Sequence, residues 1–276
     1  MDVPILPILV QFWLSWIFLI FASQLRANTM DESNLVVEHQ AGNISHRLDQ
    51  ADRRRPVADA VLGGIDGCVT TFAIVSGSVG AGLPGSAALI LGIANLIADG
   101  FSMAVSNYEA VKADVDYHDH LEQMERMHID LIPAGETEEI RQIFARKGFD
   151  GVTLKNIVET ITDDRELWVS TMLQEEHGVA ELLRTPIRSA LTTFFSFLVA
   201  GSIPLIPFFF SAGLQARFLA SALLAAAVFF CIGMAKSLVI NKPLLRSGLA
   251  TLITGCAAAG LAFLTGYLLR EAFGVM

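Results

Sequence analysis

The sequence predicts an all-α polytopic membrane protein with five core transmembrane helices, a candidate sixth apolar helix at its N-terminus, and a cytoplasmic three-helix insert. Three observations carry this prediction. Of 276 residues, 53% are hydrophobic and only 17% charged, and the mean hydropathy of +0.53 lies outside the range of soluble domains. Five runs after residue 55 are long and apolar enough to span a bilayer, since about 20 residues rising about 1.5 Å each cross a hydrocarbon core about 30 Å thick. The formal net charge of −9 falls wholly within residues 112–184, which hold 8 basic and 17 acidic residues, while the rest of the chain holds 11 of each. One acidic block therefore interrupts a neutral, apolar chain, and no basic surface is present of the kind that nucleic acid requires.

In chain order, residues 1–52 comprise an apolar run at 3–25 and a polar linker. The run fits a signal peptide, an additional helix, or a segment upstream of a true start at Met30, and the residues leave these three open. Residues 53–111 hold two spans, at 57–81 and 86–108, joined by Gly82-Leu83-Pro84-Gly85. That composition is a tight turn, so the two helices should form an antiparallel hairpin. Residues 112–185 are too polar to enter a bilayer. A first helix should continue from the second span to about Asp130, and a second should run from about Thr137 to Lys147-Gly148, with acids in its first turn and a glycine at its end. A segment at 153–162 follows, and then a helix from about Asp164 to Glu176. Residues 186–276 hold three spans free of charge, at 189–210, 218–235 and 247–269.

Lysines and arginines beside the spans set the expected orientation. Arg53, Arg54, Arg55, Lys112, Arg184, Arg188, Lys236, Lys242 and Arg246 fall on one side of a five-helix arrangement, and only Arg217 and Arg270 on the other. The acidic block should face the cytoplasm. Cys68, Cys231 and Cys256 all sit inside apolar runs without CxxC spacing, which argues for inert thiols rather than a disulfide framework or structural zinc site. No GxSxG, HExxH, Walker-type loop or GxGxxG stands in a suitable setting, so hydrolase and nucleotide-driven functions lose support.

Two constellations remain. On the first insert helix Asp114, His118, Glu122, Glu125 and His128 recur at spacings of three or four and share one face. Glu136 and Glu139 form an ExxE pair, and Met172 lies four before Glu176, beside His177. Carboxylate, imidazole and thioether together suit Fe²⁺ or Mn²⁺ better than Ca²⁺, although spacing alone also fits an ordinary solvated acidic face. The second constellation is intramembrane. Asp66 lies about 12 Å into its span by the helix rise, where a charged group costs about 2.5–3.5 kcal/mol and ordinarily serves a pathway. Asn95, Asp99 and Met103 follow at spacings of four on the next span. Gly63 and Gly67 flank Asp66 with the spacing that lets helices approach closely.

The stretches LGGIDGCVTTFAIVSGSVGAG (62–82), LGIANLIADGFSMAVSNY (91–108), the acidic insert and WVSTMLQEEHG (168–178), in that order, resemble the vacuolar iron transporter family, which includes the nodulin-21-like proteins. The resemblance runs from about residue 53 to the C-terminus. It implies a homodimeric five-helix transporter whose first two helices line the pathway, with Asp66 and Met103 at the membrane metal site. It further implies a cytoplasmic site of Glu122, Glu125, Glu136, Glu139, Met172 and Glu176. Two departures stand out: Asn95 where relatives carry glutamate, with Asp99 one turn later as the substitute, and Leu173 where they carry a second methionine. The expectation is therefore a proton-coupled exporter of Fe²⁺, and of Mn²⁺, with no enzyme activity and no prosthetic group. Its partners would be transition-metal ions, protons and the lipid bilayer, in a bacterial inner membrane or, in a eukaryote, the vacuolar membrane. The rival is a membrane-anchored iron-binding or ferroxidase-type storage module; a di-iron bundle needs Glu-x-x-His on paired helices, and Glu125 to His128 supplies it once.

Overall fold

The structure is a computed structural model and describes residues 36–37, 39–40, 42–43, 55–179, 185–240 and 243–274. The N-terminal apolar run at 3–25 lies outside these residues. Among them the fold is helical throughout: α1 (Arg55–Gly80), α2 (Gly85–Leu131), α3 (Pro133–Arg146), α4 (Gly151–Thr162), α5 (Arg165–Glu175), α6 (Pro186–Ser202), a 3-10 helix (Ile203–Phe209), α7 (Leu214–Ile240) and α8 (Leu244–Phe273). Five stretches are long and apolar enough to cross a membrane, within α1, α2, α6 with its 3-10 extension, α7 and α8. The protein is a multi-pass membrane protein.

The chain divides into two compact units, one of residues up to Ile97 together with Ser196 onward, the other Ala98–Phe195. The division falls inside the apolar parts of α2 and α6. In the first unit α1 packs against both α7 and α8, and these pack on each other. Phe218 stacks on Phe72 with ring centroids 6.2 Å apart and lies 6.4 Å from Phe263. Cys68 is fully buried and its thiol faces the Ala225 carbonyl at 3.9 Å, whereas Cys231 is partly buried and Cys256 exposed.

The span at 189–210 is not α-helical to its end. Pro204 and Pro207 lack the N–H groups that an α-helix needs, so α6 stops at Ser202 and a 3-10 helix continues to Phe209. The Ser221 hydroxyl, fully buried on α7, donates to the Pro204 carbonyl at 2.7 Å and satisfies a group the helix break would leave bare.

Beside Asp66, Gly67 allows α1 to touch the backbone of α6. A Cβ placed on Gly201 would sit 2.6 Å from the Gly67 carbonyl, and one on Gly67 would sit closer still to the Phe197 carbonyl. Backbone cannot yield as a flexible side chain can. Gly67→Ala should therefore lower the thermal stability of the detergent-solubilised chain by about 1–3 kcal/mol through overpacking, with Gly64→Ala milder, because its Cβ would meet the mobile end of Ile232 at 3.2 Å. Equal melting temperatures for the two variants would refute the contact.

The second unit is held by an apolar cluster: Leu121 and Ile129 from α2, Ile140 from α3, Val158 and Ile161 from α4, and Trp168, Val169, Met172 and Leu173 from α5. Helix α2 runs 47 residues without a break, and ends at Leu131 because Pro133 holds Ile132 outside the helical region, at φ −136° and ψ 53°. To the three helices expected in the insert the structure adds a fourth, α4. Its β-branched residues favour helix weakly, but Leu154, Ile157, Val158 and Ile161 recur at helical spacing and pack into the cluster. Burial of that face decides its conformation. Asp164 caps α5, accepting from the backbone N–H groups of Glu166 at 3.0 Å and Leu167 at 3.2 Å. On the helices nearer the boundary Asn107 donates to the Thr193 hydroxyl at 2.8 Å and to the Ser189 carbonyl at 3.3 Å.

Candidate metal site

Three elements of the second unit bring the predicted ligands together. On α2 one helical face presents Glu122, Glu125 and His128; α3 presents Glu136 and Glu139 one turn apart; α5 carries Met172, and Glu176 and His177 follow at its C-terminus. The Asp164 cap starts α5 and Gly178 closes it. With Gly178 at φ +67°, the backbone folds back so that Val179 N–H reaches the Leu173 carbonyl at 2.9 Å, a closure that glycine permits and other residues resist. His177 is thereby turned inward, and its Nε2 lies 2.8 Å from Glu125 Oε1.

Glu125 and Glu136 are 1% and 2% exposed, figures otherwise found here for core residues such as Val111 and Phe229. Neither Glu125 Oε2 nor Glu136 Oε2 has a hydrogen-bond partner among the described residues. Two enclosed carboxylate oxygens without partners are costly, and a divalent cation is the natural group to satisfy them. Ligand atoms of Glu125, Glu176 and His177 lie within 4.8 Å of one another, and so do those of Glu125, His128 and Glu136. Glu125 belongs to both triangles. Met172 is fully enclosed in the apolar cluster one turn before Glu176.

The remaining predicted acids stand apart. Glu139 is exposed at the rim, yet its charge raises the pKa of both Glu136 and Glu176. Glu122 is engaged by Arg126, whose Nε donates to it at 3.0 Å while Nη1 donates to Glu166 at 2.8 Å. That bridge ties α2 to α5, as does Arg165 to Asp130 at 2.7 Å. Glu122 also forms a further triangle with His118 and Asp119, whose side chain is largely exposed. Leu173 is buried in the apolar cluster. Asp66, Asn95, Asp99 and Met103 are each partly buried along α1 and α2, Asp66 in the first unit and Met103 in the second. The amide nitrogen of Asn95 has no partner among the described residues.

Burial, and next the charges of Glu139 and Glu125, push the Glu136 carboxyl up to about 7. Glu176 is raised by the same kinds of cause, partly offset by His177 and His128. A carboxyl whose pKa is higher folded than unfolded binds its proton more tightly in the folded state, so the stability that Glu136 contributes to the metal-free protein is lost as pH rises from about 4.5 through 7. The melting temperature of the metal-free chain should fall over that window. Glu136→Gln should lessen the fall across the window by on the order of 1–3 kcal/mol, and an unchanged fall would show that Glu136 does not titrate there.

Residues 57–267 match the model of the VIT family. The chain is 31% identical over 228 residues to a protein of Toxoplasma gondii named vacuolar iron transporter, covering 79% of this chain and 76% of that one. It is 31% identical over 239 residues to one of the same name from Plasmodium berghei, covering 83% and 86%. A plant counterpart from Centaurea cyanus, again named vacuolar iron transporter, is 29% identical over 208 residues, covering 75% and 85%.

Proposed function

The chain belongs to the VIT family, and from that premise we propose that it carries Fe²⁺, and Mn²⁺ by the same donor chemistry, out of the cytoplasm in exchange for protons. The observation that carries this reading is the pair of enclosed carboxylates, Glu125 and Glu136, each with an unpartnered oxygen and each grouped with further metal donors. The names of the relatives supply the cargo.

The acidic insert collects divalent cations from the cytoplasm by its net negative charge. Glu125, Glu136 and Glu176 then bind the ion, with Glu139 at the rim and Met172 as the soft donor; oxygen and thioether together favour Fe²⁺ and Mn²⁺ over Ca²⁺. The membrane step is assigned to Asp66, with Met103 and Asp99 on α2 contributing donors of their own. A carboxylate holds either a proton or a cation but not both, so occupancy by one displaces the other, and that competition couples the two fluxes. Asn95 offers an amide in place of a carboxylate, and Asp99 supplies a carboxylate one turn later on that face of α2. We place this activity in a homodimer, as the family resemblance implies.

Reconstitution tests the reading. Full-length protein in vesicles with an acid interior should draw in Fe²⁺, reported by an internal chelating dye, and collapse of the proton gradient should stop it. Uptake that ignores the gradient would remove the coupling, and absence of uptake would remove transport. His128 and His177 give the storage and ferroxidase reading a second imidazole, so an oxygen electrode is the discriminating measurement: a transporter consumes no oxygen above background when Fe²⁺ is added.

A further inference from the structure

We propose that His128 and His177 are metal ligands of the cytoplasmic cluster, and that their nitrogens set its preference among first-row ions, favouring Co²⁺ and Fe²⁺ over Mn²⁺. The inference rests on the cluster being the capture site, and goes beyond it by assigning donors that lie outside the carboxylate and thioether set.

The two histidines enter the cluster from different elements and by different ring atoms. His128 comes from α2, one turn after Glu125, and its Nδ1 stands 3.5 Å from Glu136 Oε1. His177 comes from the turn after α5, and its Nε2 stands 2.8 Å from Glu125 Oε1. An ordinary hydrogen bond between His177 and Glu125 accounts for one oxygen only. It leaves Glu125 Oε2 enclosed and unpartnered, and Glu136 Oε2 in the same condition. Each of the two triangles that these carboxylates enter contains one imidazole: Glu125, Glu176, His177, and Glu125, His128, Glu136. An ion seated among these groups gives an enclosed carboxylate its missing partner and takes an imidazole nitrogen as a further donor.

The third triangle on α2 lacks this support. Glu122 is already held by Arg126, no orphaned oxygen lies there among the described residues, and it carries no inference.

Nitrogen donors matter because affinity for an N/O site rises from Mn²⁺ through Fe²⁺ to Co²⁺, and imidazole steepens that order where carboxylate and water suit Mn²⁺. Two imidazoles should therefore make the cluster discriminate against Mn²⁺, and their removal should level the affinities.

The test uses the full-length protein in detergent. Mn²⁺ is added first, and pulsed EPR on the bound ion reads its nitrogen neighbours. The expected result is ¹⁴N modulation from imidazole in the unaltered protein, lost in the double variant His128→Gln, His177→Gln. Co²⁺ affinity, from its visible absorption, should fall in that variant so that the Co²⁺ to Mn²⁺ affinity ratio drops by about tenfold or more, with Mn²⁺ affinity within a few-fold. Bound Mn²⁺ in the unaltered protein without nitrogen modulation would overturn the proposal, and that measurement needs no variant to fold. An unchanged affinity ratio in the double variant would overturn it as well. If the histidine variants change nothing while Glu125→Gln and Glu136→Gln weaken binding, the histidine assignment falls and the capture site stands. If the unaltered protein binds neither metal, the capture site itself falls.

Discussion

Asp66→Ala is expected to reduce Fe²⁺ uptake into proteoliposomes to the level of protein-free vesicles. Without the Asp66 carboxylate a partly dehydrated cation loses its opposing charge at that depth, and a passage barrier raised by about 3 kcal/mol slows flux by about a hundredfold. Asp66 sits partly buried on α1, next to the Gly67 backbone contact with α6, so substitution by alanine removes a charge without adding bulk at the tight crossing. Asp66→Asn should be as inactive as Asp66→Ala, because it keeps the shape and polarity but neither ionises nor carries a proton. Asp66→Glu should retain part of the flux. A melting temperature near that of the unaltered protein must accompany the loss; flux at the unaltered rate in Asp66→Ala would show that the ion passes elsewhere.

The second large effect concerns the cytoplasmic cluster. Glu125→Gln with Glu136→Gln should weaken Co²⁺ or Mn²⁺ binding to the full-length protein by about a hundredfold, equivalent to roughly 2.7 kcal/mol, and should raise the stability of the metal-free form. Both signs follow from one fact. The two carboxylates are enclosed and each has an oxygen without a partner, so their charge is unfavourable without a cation and favourable with one. Glu122→Gln should change affinity by only a few-fold, because its carboxylate is already committed to Arg126. Isothermal titration calorimetry on the three forms checks the ranking, and an equal loss from Glu122→Gln would mean that Arg126 yields readily to the ion.

Much of this is legible in the sequence. Length and apolarity mark the five membrane helices, since a spanning helix must satisfy its own backbone and expose apolar side chains to lipid, and both demands are written along a single segment. The cytoplasmic half of α2 is legible from acids and histidines at spacings of three and four, and the start of α3 from the acids of its first turn. Three details are not. Proline-driven conversion of the third span to a 3-10 helix depends on whether a neighbour, here Ser221, satisfies the freed carbonyl. Helix α4 was hidden by residues of low helix propensity, whose packing against α3 and α5 overrides that tendency. His177 stands beside Glu176 in the sequence, but its direction is not readable there, because it lies past the end of α5, where helical periodicity stops and the left-handed Gly178 follows.

The sequence by itself determined the class of protein, the acidic insert and the donors available to a metal, because hydropathy, charge and residue chemistry are local properties. Tertiary structure alone decided which of the 17 acidic residues of the insert act together. Helical spacing places Glu122 and Glu125 on one face of α2 with equal standing, and only the packing of α3 and α5 around the apolar cluster separates them. It encloses Glu125 and Glu136 beside the two histidines, while Arg126 engages Glu122. The physical reason is desolvation: a carboxylate becomes a metal ligand rather than a solvated charge when neighbouring helices take its water away and offer other donors in return.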